Sequence, residues 1–514
     1  MSVNGTKIYV RCKLVPLSRY VSPALLAAAG VFLITAIALF VPPYIGMADN
    51  GDYFRVLYSN GLYFNAPDYD SQYLGYFVKE YGIFQYYNEN GATLSSSQSL
   101  FIRLAVWINK LVDHQVFDIR VQTAIFTILY TIAVYLFIEC ITWKTPAKYG
   151  YPIALIAIFI FGDTAYTAFF SSFFSESIVL IMMMFMFASG LLLYRNRYND
   201  YFLLAVFVFS GLLLTTSKQQ NAPVGTIIAV TGIILIFIRK EKIFRILMAS
   251  SLVSLLLAGL GTYFLIPKEF VNINKYHAMT RGVMMEAPDP EIALRNFGIN
   301  RQFAVLDRSI YYDPYTTVDV DSEILEKHFY SQSGFGSILG YYITHPGQAG
   351  KMLDMAAKNA FTIRPPAMGN YEKSAGKSFG AQTKFFSGYS MIKQALAPKT
   401  FGFVVIWICL VVGLYMPSFI SAIKTRHKRH VLRLPLIVTM ILIGLSGVMV
   451  SIIGAGDADL SKHEFLFTAA FDMVTFAALS DAIRRRLWRN EQGQEPILYP
   501  GEETRWRLAC SQKK

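Results

Sequence analysis

The feature that most constrains this chain is a succession of apolar runs, several of them about 20 residues long, that carry almost no charge. A helix rises about 1.5 Å per residue, so such a run matches the roughly 30 Å hydrocarbon thickness of a bilayer. Charged residues make up only 16% of the chain and hydrophobic ones 54%, against about 25% charged in a soluble domain. The apolar blocks are continuous, which excludes a membrane barrel, whose strands alternate apolar and polar positions. The expected class is an all-α polytopic membrane protein with about ten transmembrane helices.

Those helices are expected near residues Val21–Val41, Val121–Ile141, Tyr151–Tyr166, Phe174–Tyr194, Tyr201–Thr216, Val224–Ile238, Ile246–Ile266, Phe401–Ile420, Leu434–Ile453 and Phe465–Leu479. The first lacks a small-residue cleavage site and reads as a retained span, not a signal peptide. It stops at Pro42 and Pro43, since proline cannot continue a helix. The division that follows is a tail at 1–20, helices one to seven within 21–266 with a first loop at 42–120, a large loop domain at 267–400, helices eight to ten within 401–481, and a tail at 482–514. The large segment is rich in Tyr, Phe, Pro and Gly, so a compact α+β or irregular domain is expected, not a linker. Within the first loop, Phe101–Val112 interleaves apolar and charged residues at helical spacing. It suits either a helix in the interface plane or a partly buried helix of the loop.

The net charge of +13 could suggest nucleic acid, but the basic residues sit in short clusters beside the apolar runs, the pattern of membrane topology. With both termini cytoplasmic, Lys7/Arg11/Lys13/Arg19, Lys144/Lys148, Arg195/Arg197, Arg239/Lys240/Lys242/Arg245, Lys424/Arg426/Lys428/Arg429/Arg433 and Arg484/Arg485/Arg486/Arg489 all fall inside. Every inner connection is then basic, as the positive-inside rule requires. The expected location is the cell membrane, with the large loops outside. None of Cys12, Cys140, Cys409 and Cys510 falls in those loops, so no disulfide framework is expected.

This topology puts four polar clusters on one side. In GMADNGDYFR (46–55), Asp49 and Asp52 are three apart and would share a helix face. Two such carboxylates could act as a general base or ligate a divalent cation; the plain alternative is an Asx turn capping a loop helix. In SSFFSES (171–177), Glu176 opens a span, where a carboxylate either faces a cavity or favours the helix dipole; Asp163, at the end of the third span, is similar. In SKQQNAP (217–223), Lys218 among Gln219, Gln220 and Asn221 suits an anion or a sugar, or is a snorkelling lysine in a polar turn. GAGDADLSKHEFLF (454–467) packs Asp457, Asp459, Lys462, His463 and Glu464 into one short connection. Lys462 and His463 could hold a phosphate, and His463 could be acid or base; otherwise the glycines serve only a tight hairpin. The large loop adds Arg281, Arg295, Arg301, Arg308 and His328 among Tyr311, Tyr312 and Tyr315, a set that suits sugars or a structural lid. No Walker motif, dinucleotide fingerprint, HExxH, zinc cysteine cluster or nucleophile elbow is present.

A first span followed at once by an acidic loop, then many spans and a large outer domain, resembles the GT-C superfamily of membrane glycosyltransferases. More narrowly, MADNGDYFR, SKQQNAP and GDADLSKHEFLF look like the WsfD-type bacterial hexose transferases of cell-surface glycan biosynthesis. The resemblance implies a bacterial enzyme that takes a hexose from a polyprenyl-phosphate donor on the outer leaflet and passes it, with inversion, to a glycan or lipid-linked acceptor. It implies an acidic base in the first outer loop, here Asp49 or Asp52, with Asp49 preferred as nearer the span. It implies a second acid at Asp163 or Glu176, and donor phosphate held by Lys218, Lys462 and His463. Gln219, Gln220, Asn221, Asp457 and Asp459 would contact sugar or organise the loops. A divalent cation (Mg or Mn) is allowed, with no ligands assigned. The partners implied are the lipid-linked donor, the acceptor and membrane lipid, with no nucleic acid.

Two other classes compete. A flippase or transporter would carry polar residues through the midplane and internal repeats, whereas these spans are largely apolar with acids at their ends. A non-catalytic glycan assembly protein could use the same loops.

Overall fold

The computed structural model describes residues 21–86 and 96–487. The tail clusters Lys7/Arg11/Lys13/Arg19 and Arg489, together with Cys12 and Cys510, lie outside the described residues. Among those described, eight helices are long and apolar enough to cross a bilayer: Pro23–Phe40, Ile119–Thr142, Glu176–Arg195, Gln219–Phe237, Lys242–Phe264, Phe401–Lys424, His430–Ala455 and Phe465–Ile483. A ninth is a broken pair, Ala147–Phe161 and Thr164–Ser171, bent by 48°. The break falls at Gly162 and Asp163, where the Asp163 carboxylate caps the second piece by accepting from the Ala165 amide at 2.8 Å. The remaining expected span, Tyr201–Thr216, is a shorter apolar helix of 16 residues, Asp200–Thr215.

The bundle is organised around Glu176–Arg195, whose membrane window is entirely buried inside the protein. A helix apolar on every side must be surrounded, and Met182, Met183, Met184 and Met186 supply unbranched side chains that fill gaps between its neighbours. Lys242–Phe264 and Phe401–Lys424 lie at the periphery and expose Leu257, Val253, Ile406 and Leu410. Lys242–Phe264 meets Ala222–Thr231 at Gly225 and Gly259: a Cβ on Gly259 would stand 2.6 Å from the Ala222 carbonyl oxygen, so only glycine permits the approach.

For 267–400 the two expected characters are α+β or irregular. Among the described residues that segment is helical and irregular, with helices at Lys268–Ala278, Phe335–Thr344, Pro346–Ala360 and Gly388–Leu396. The small antiparallel sheet belongs to the first loop instead: Leu62–Tyr63, Glu80–Ile83 and Val116–Asp118, with Leu62 opposite Ile83 and Tyr81 opposite Phe117. The large segment builds its own core around Tyr276, Phe303, Phe329 and Tyr341, which continues into Ile452 and Phe467 of the bundle. Its later part returns to the first loop. The Gly46 amide donates to the Asn370 carbonyl, Ala48 to Gly369 and Phe77 to Tyr371, each at 2.9 Å.

The connections sort by charge. At one end, Arg197 pairs with Glu139 at 2.9 Å, Asp200 takes Arg239 at 2.6 Å and Arg429 at 2.7 Å, and Arg433 pairs with Asp481. The opposite end carries the first loop, the 267–400 segment and the polar clusters.

Candidate functional site

The polar clusters meet where four connections come together. The chain leaving Pro23–Phe40 makes a tight turn in which Asp49 accepts from the Gly51 amide (2.9 Å), the Tyr53 amide (3.0 Å) and the Tyr69 hydroxyl. Asp49 is buried, and burial raises its carboxyl above the usual range despite those donors. The turn delivers Asp52 to the N-cap of the short helix Tyr53–Ser59, where it makes no capping bond. Its carboxylate instead pairs with Lys462.

Lys462 lies on the four-residue turn Leu460–His463 between the last two spans. Its side chain is 5% exposed while that of Asp52 is 50% exposed. A buried ammonium must be compensated, and here the compensation is Asp52, Asp459 at 3.7 Å, and the ring of Phe174, whose centroid is 4.4 Å away. Burial pulls the Lys462 ammonium down, but Asp52, Asp459 and Glu176 outweigh it and raise its pKa. Burial likewise pushes the Asp52 carboxyl up, and Lys462, with Lys218 behind it, holds it at about 2.

The other two connections supply the rest. Lys218 pairs with Glu176 at 3.3 Å. Gln220 reaches across the site: its amide donates to the Ser451 hydroxyl (2.7 Å) and the His463 carbonyl (2.9 Å), and its oxygen lies 2.9 Å from His463 Nδ1. In that amide orientation Nδ1 carries the proton and Nε2 is left as an acceptor. Burial, Lys218 and Lys462 push His463 well below its ordinary pKa, so the ring is neutral. Glu464 is fully buried with neither carboxylate oxygen hydrogen-bonded, and burial raises its pKa well above the ordinary range.

The structure thus brings together Asp49, Asp52, Glu176, Lys218, Gln220, Asp459, Lys462 and His463. Asp459 sits in the left-handed region at φ 52° and accepts from the Asn50 amide at 2.9 Å, which ties the first loop to the last one. Three expected residues organise loops. Asn221 holds its own turn through Ser217 at 2.9 Å, and Gln219 opens that turn. Asp457 forms a two-pronged pair with Arg281 at 2.6 and 2.9 Å, which clamps the large segment onto the bundle.

Asp163 stands apart. It accepts from the Ser390 amide (2.8 Å) and hydroxyl (2.9 Å) besides its capping bond. It belongs to a separate buried network in which Asp472 takes Lys393 at 2.7 Å, Tyr389 at 2.6 Å and Tyr166. Lys393 and Tyr69 had no sequence signal of their own, since each is defined by a partner distant in sequence, Asp472 and Asp49.

Among the described residues no three His, Cys, Asp or Glu side chains come together as metal ligands. Lys462 lies between Asp52 and Asp459 and pairs with both carboxylates.

Several apolar spans, a fully enclosed central helix and polar connections gathered at the ends define a multi-pass helical membrane protein. The family model described as the YfdI N-terminal transmembrane domain matches residues 10–498, and the chain belongs to that family. No curated protein matches it.

Proposed function

We propose that the protein is a membrane glycosyltransferase of the GT-C kind. It moves a hexose from a polyprenyl-phosphate donor to a glycan or lipid-linked acceptor at the outer membrane face. The observation that carries this reading is the junction of a half-exposed carboxylate, Asp52, with a buried lysine, Lys462, beside Lys218 and a neutral His463. The opposite end of the bundle bears the basic connections, and the positive-inside rule makes that end cytoplasmic.

In this reading the donor keeps its tail in lipid and sets its phosphate against Lys462 and Lys218. Asp52, relieved of Lys462, becomes a stronger base and takes the proton of the acceptor hydroxyl. The hydroxyl oxygen bonds to the anomeric carbon as the carbon–oxygen bond to phosphate breaks, and polyprenyl phosphate leaves with the electron pair, its charge met by the lysines. Asp49, whose oxygens are already engaged, positions the turn that presents Asp52.

The test is transfer or hydrolysis of a panel of radiolabelled polyprenyl-phosphate hexoses by the protein in lipid. Asp52→Asn is expected to lower turnover by roughly 10²–10⁴-fold, the usual worth of a general base. Unchanged turnover in Asp52→Asn sinks the assignment of the base. Donor binding without turnover points to a non-catalytic assembly protein, and neither binding nor turnover to a transporter.

A further inference from the structure

The helix Gln98–Asn109 has two unlike faces. Ile102, Ala105, Val106 and Asn109 are buried, whereas Leu100, Trp107 and Leu111 are 61%, 64% and 74% exposed, with exposed Leu104 between them. Leu100, Leu104 and Trp107 recur at spacings of four and three, a single helical stripe, and Leu111 follows in the turn just past the C-cap Lys110. Helices that face water put polar side chains on that side, and a stripe of this size marks an interaction surface.

The position of the helix says what covers it. Its N-terminal end is tied to the end of Asp200–Thr215: the Ser97 amide donates to Thr216 at 3.0 Å and its hydroxyl to Leu213 at 2.7 Å. At its other end, Asn109 donates to the Val116 carbonyl at 2.7 Å and accepts from the Asp118 amide at 3.0 Å. Asp118 is the N-cap of the span Ile119–Thr142. The inner face packs on that same span, with the Phe101 and Phe126 rings 5.8 Å apart. The helix is therefore held between the end of one apolar helix and the start of another, at the level where those helices end.

We infer that Gln98–Asn109 is seated in the bilayer surface on the side of the polar site, with Leu100, Leu104, Trp107 and Leu111 in contact with lipid. Tryptophan favours that depth, and exposed Lys110 can reach the headgroups. The seat also bears on the site. Ser99 accepts from Asn60 at 3.2 Å, and Arg103 donates to the Asn60 side chain at 3.3 Å. Asn60 is the C-cap of the short helix whose N-cap is Asp52. The contact with lipid sets the height of Asp52 above the membrane, whatever chemistry that carboxylate performs.

The test compares the native protein with Trp107→Phe in phosphatidylcholine vesicles whose acyl chains carry bromine at shallow or deep positions. The difference emission isolates Trp107. It is expected to be blue-shifted, quenched most by the shallow bromines, and little affected by aqueous acrylamide. Emission lost to acrylamide and indifferent to bromine at every depth overturns the inference, because the stripe then faces water. Emission indifferent to both also overturns it, because protein then covers the stripe. Leu104→Trp in the Trp107→Phe background repeats the measurement one turn away and must give the same depth order.

Discussion

The pair Asp52–Lys462 joins one group open to solvent with one that is not, and that asymmetry fixes how its two halves respond to removal. The descent of the Asp52 carboxyl from 3.8 to about 2, at roughly 1.4 kcal/mol per unit, corresponds to a net of about 2.5 kcal/mol left after burial has opposed the surrounding cations. Because Asp52 is 50% exposed, solvent screening brings the pair's own coupling nearer ~1 kcal/mol. Asp52→Asn keeps a good N-cap residue but leaves the Lys462 ammonium buried with Asp459 at 3.7 Å as its nearest acid. Stranding a buried charge costs about 3–5 kcal/mol, and with Asp459 and Glu176 still present ~2 kcal/mol is expected. Lys462→Met replaces the lysine stem by an apolar one against Phe174 and leaves Asp52 able to hydrate, for a cost of ~1 kcal/mol or less. Thermal unfolding of Asp52→Asn, Lys462→Met and the double variant in lipid discs at pH 7 measures all three values. The reasoning is refuted if Lys462→Met proves the costlier single change, or if the two effects add to within about 0.3 kcal/mol, the limit for sites that do not interact.

His277 gives a pH signature. It accepts from the Tyr311 amide at 3.0 Å, and burial followed by Arg281 lowers its pKa from 6.5 to about 4. A depressed histidine contributes stability that is complete above pH 6.5 and lost as pH falls through about 4. Unfolding scans from pH 7 to pH 4 should therefore show about 3 kcal/mol of loss in the native protein and a flatter limb in His277→Gln. Lys393→Met strands Asp472 inside the last span and should cost about 3–5 kcal/mol by chemical unfolding in mixed micelles; Lys393→Met with Asp472→Leu should recover much of it, and equal losses in both would contradict the charge argument. Gly456 has φ 61° and ψ −130°, and a Cβ there would lie 2.5 Å from the Arg281 carbonyl carbon. Gly456→Ala should lower stability by about 1–3 kcal/mol, and an unchanged unfolding temperature would show the turn to be laxer than its geometry.

What could be read in advance follows the range of the forces involved. Apolar runs report their own burial, so every expected span has a helical counterpart, with the shortfall at Asp200–Thr215 and the bend at Gly162–Asp163 as the departures. The polar connections of the site also announced themselves, because charges between apolar runs are costly unless used or paired. The sheet did not, since strands of two to four residues carry too little alternation to register. Asp163 looked like Glu176 in sequence, yet it serves a helix cap and Ser390, a partner 227 residues away. The partition between Asp49 and Asp52 was equally hidden: proximity to the span favoured Asp49, but the local amides claim its oxygens while Lys462, 410 residues on, takes Asp52.

The strip of backbone bonds from Gly46 and Ala48 to Asn370 and Gly369 has a consequence for the order of biosynthesis. Its two sides are separated by 324 residues at Gly46 and Asn370, so the first loop is made with one edge unpaired and waits while six further spans and most of the large segment are translated. Lys462 arrives later still. The first loop is thus made early and completed late, and Asp52 remains without its cation until the connection before the span Phe465–Ile483 has been made.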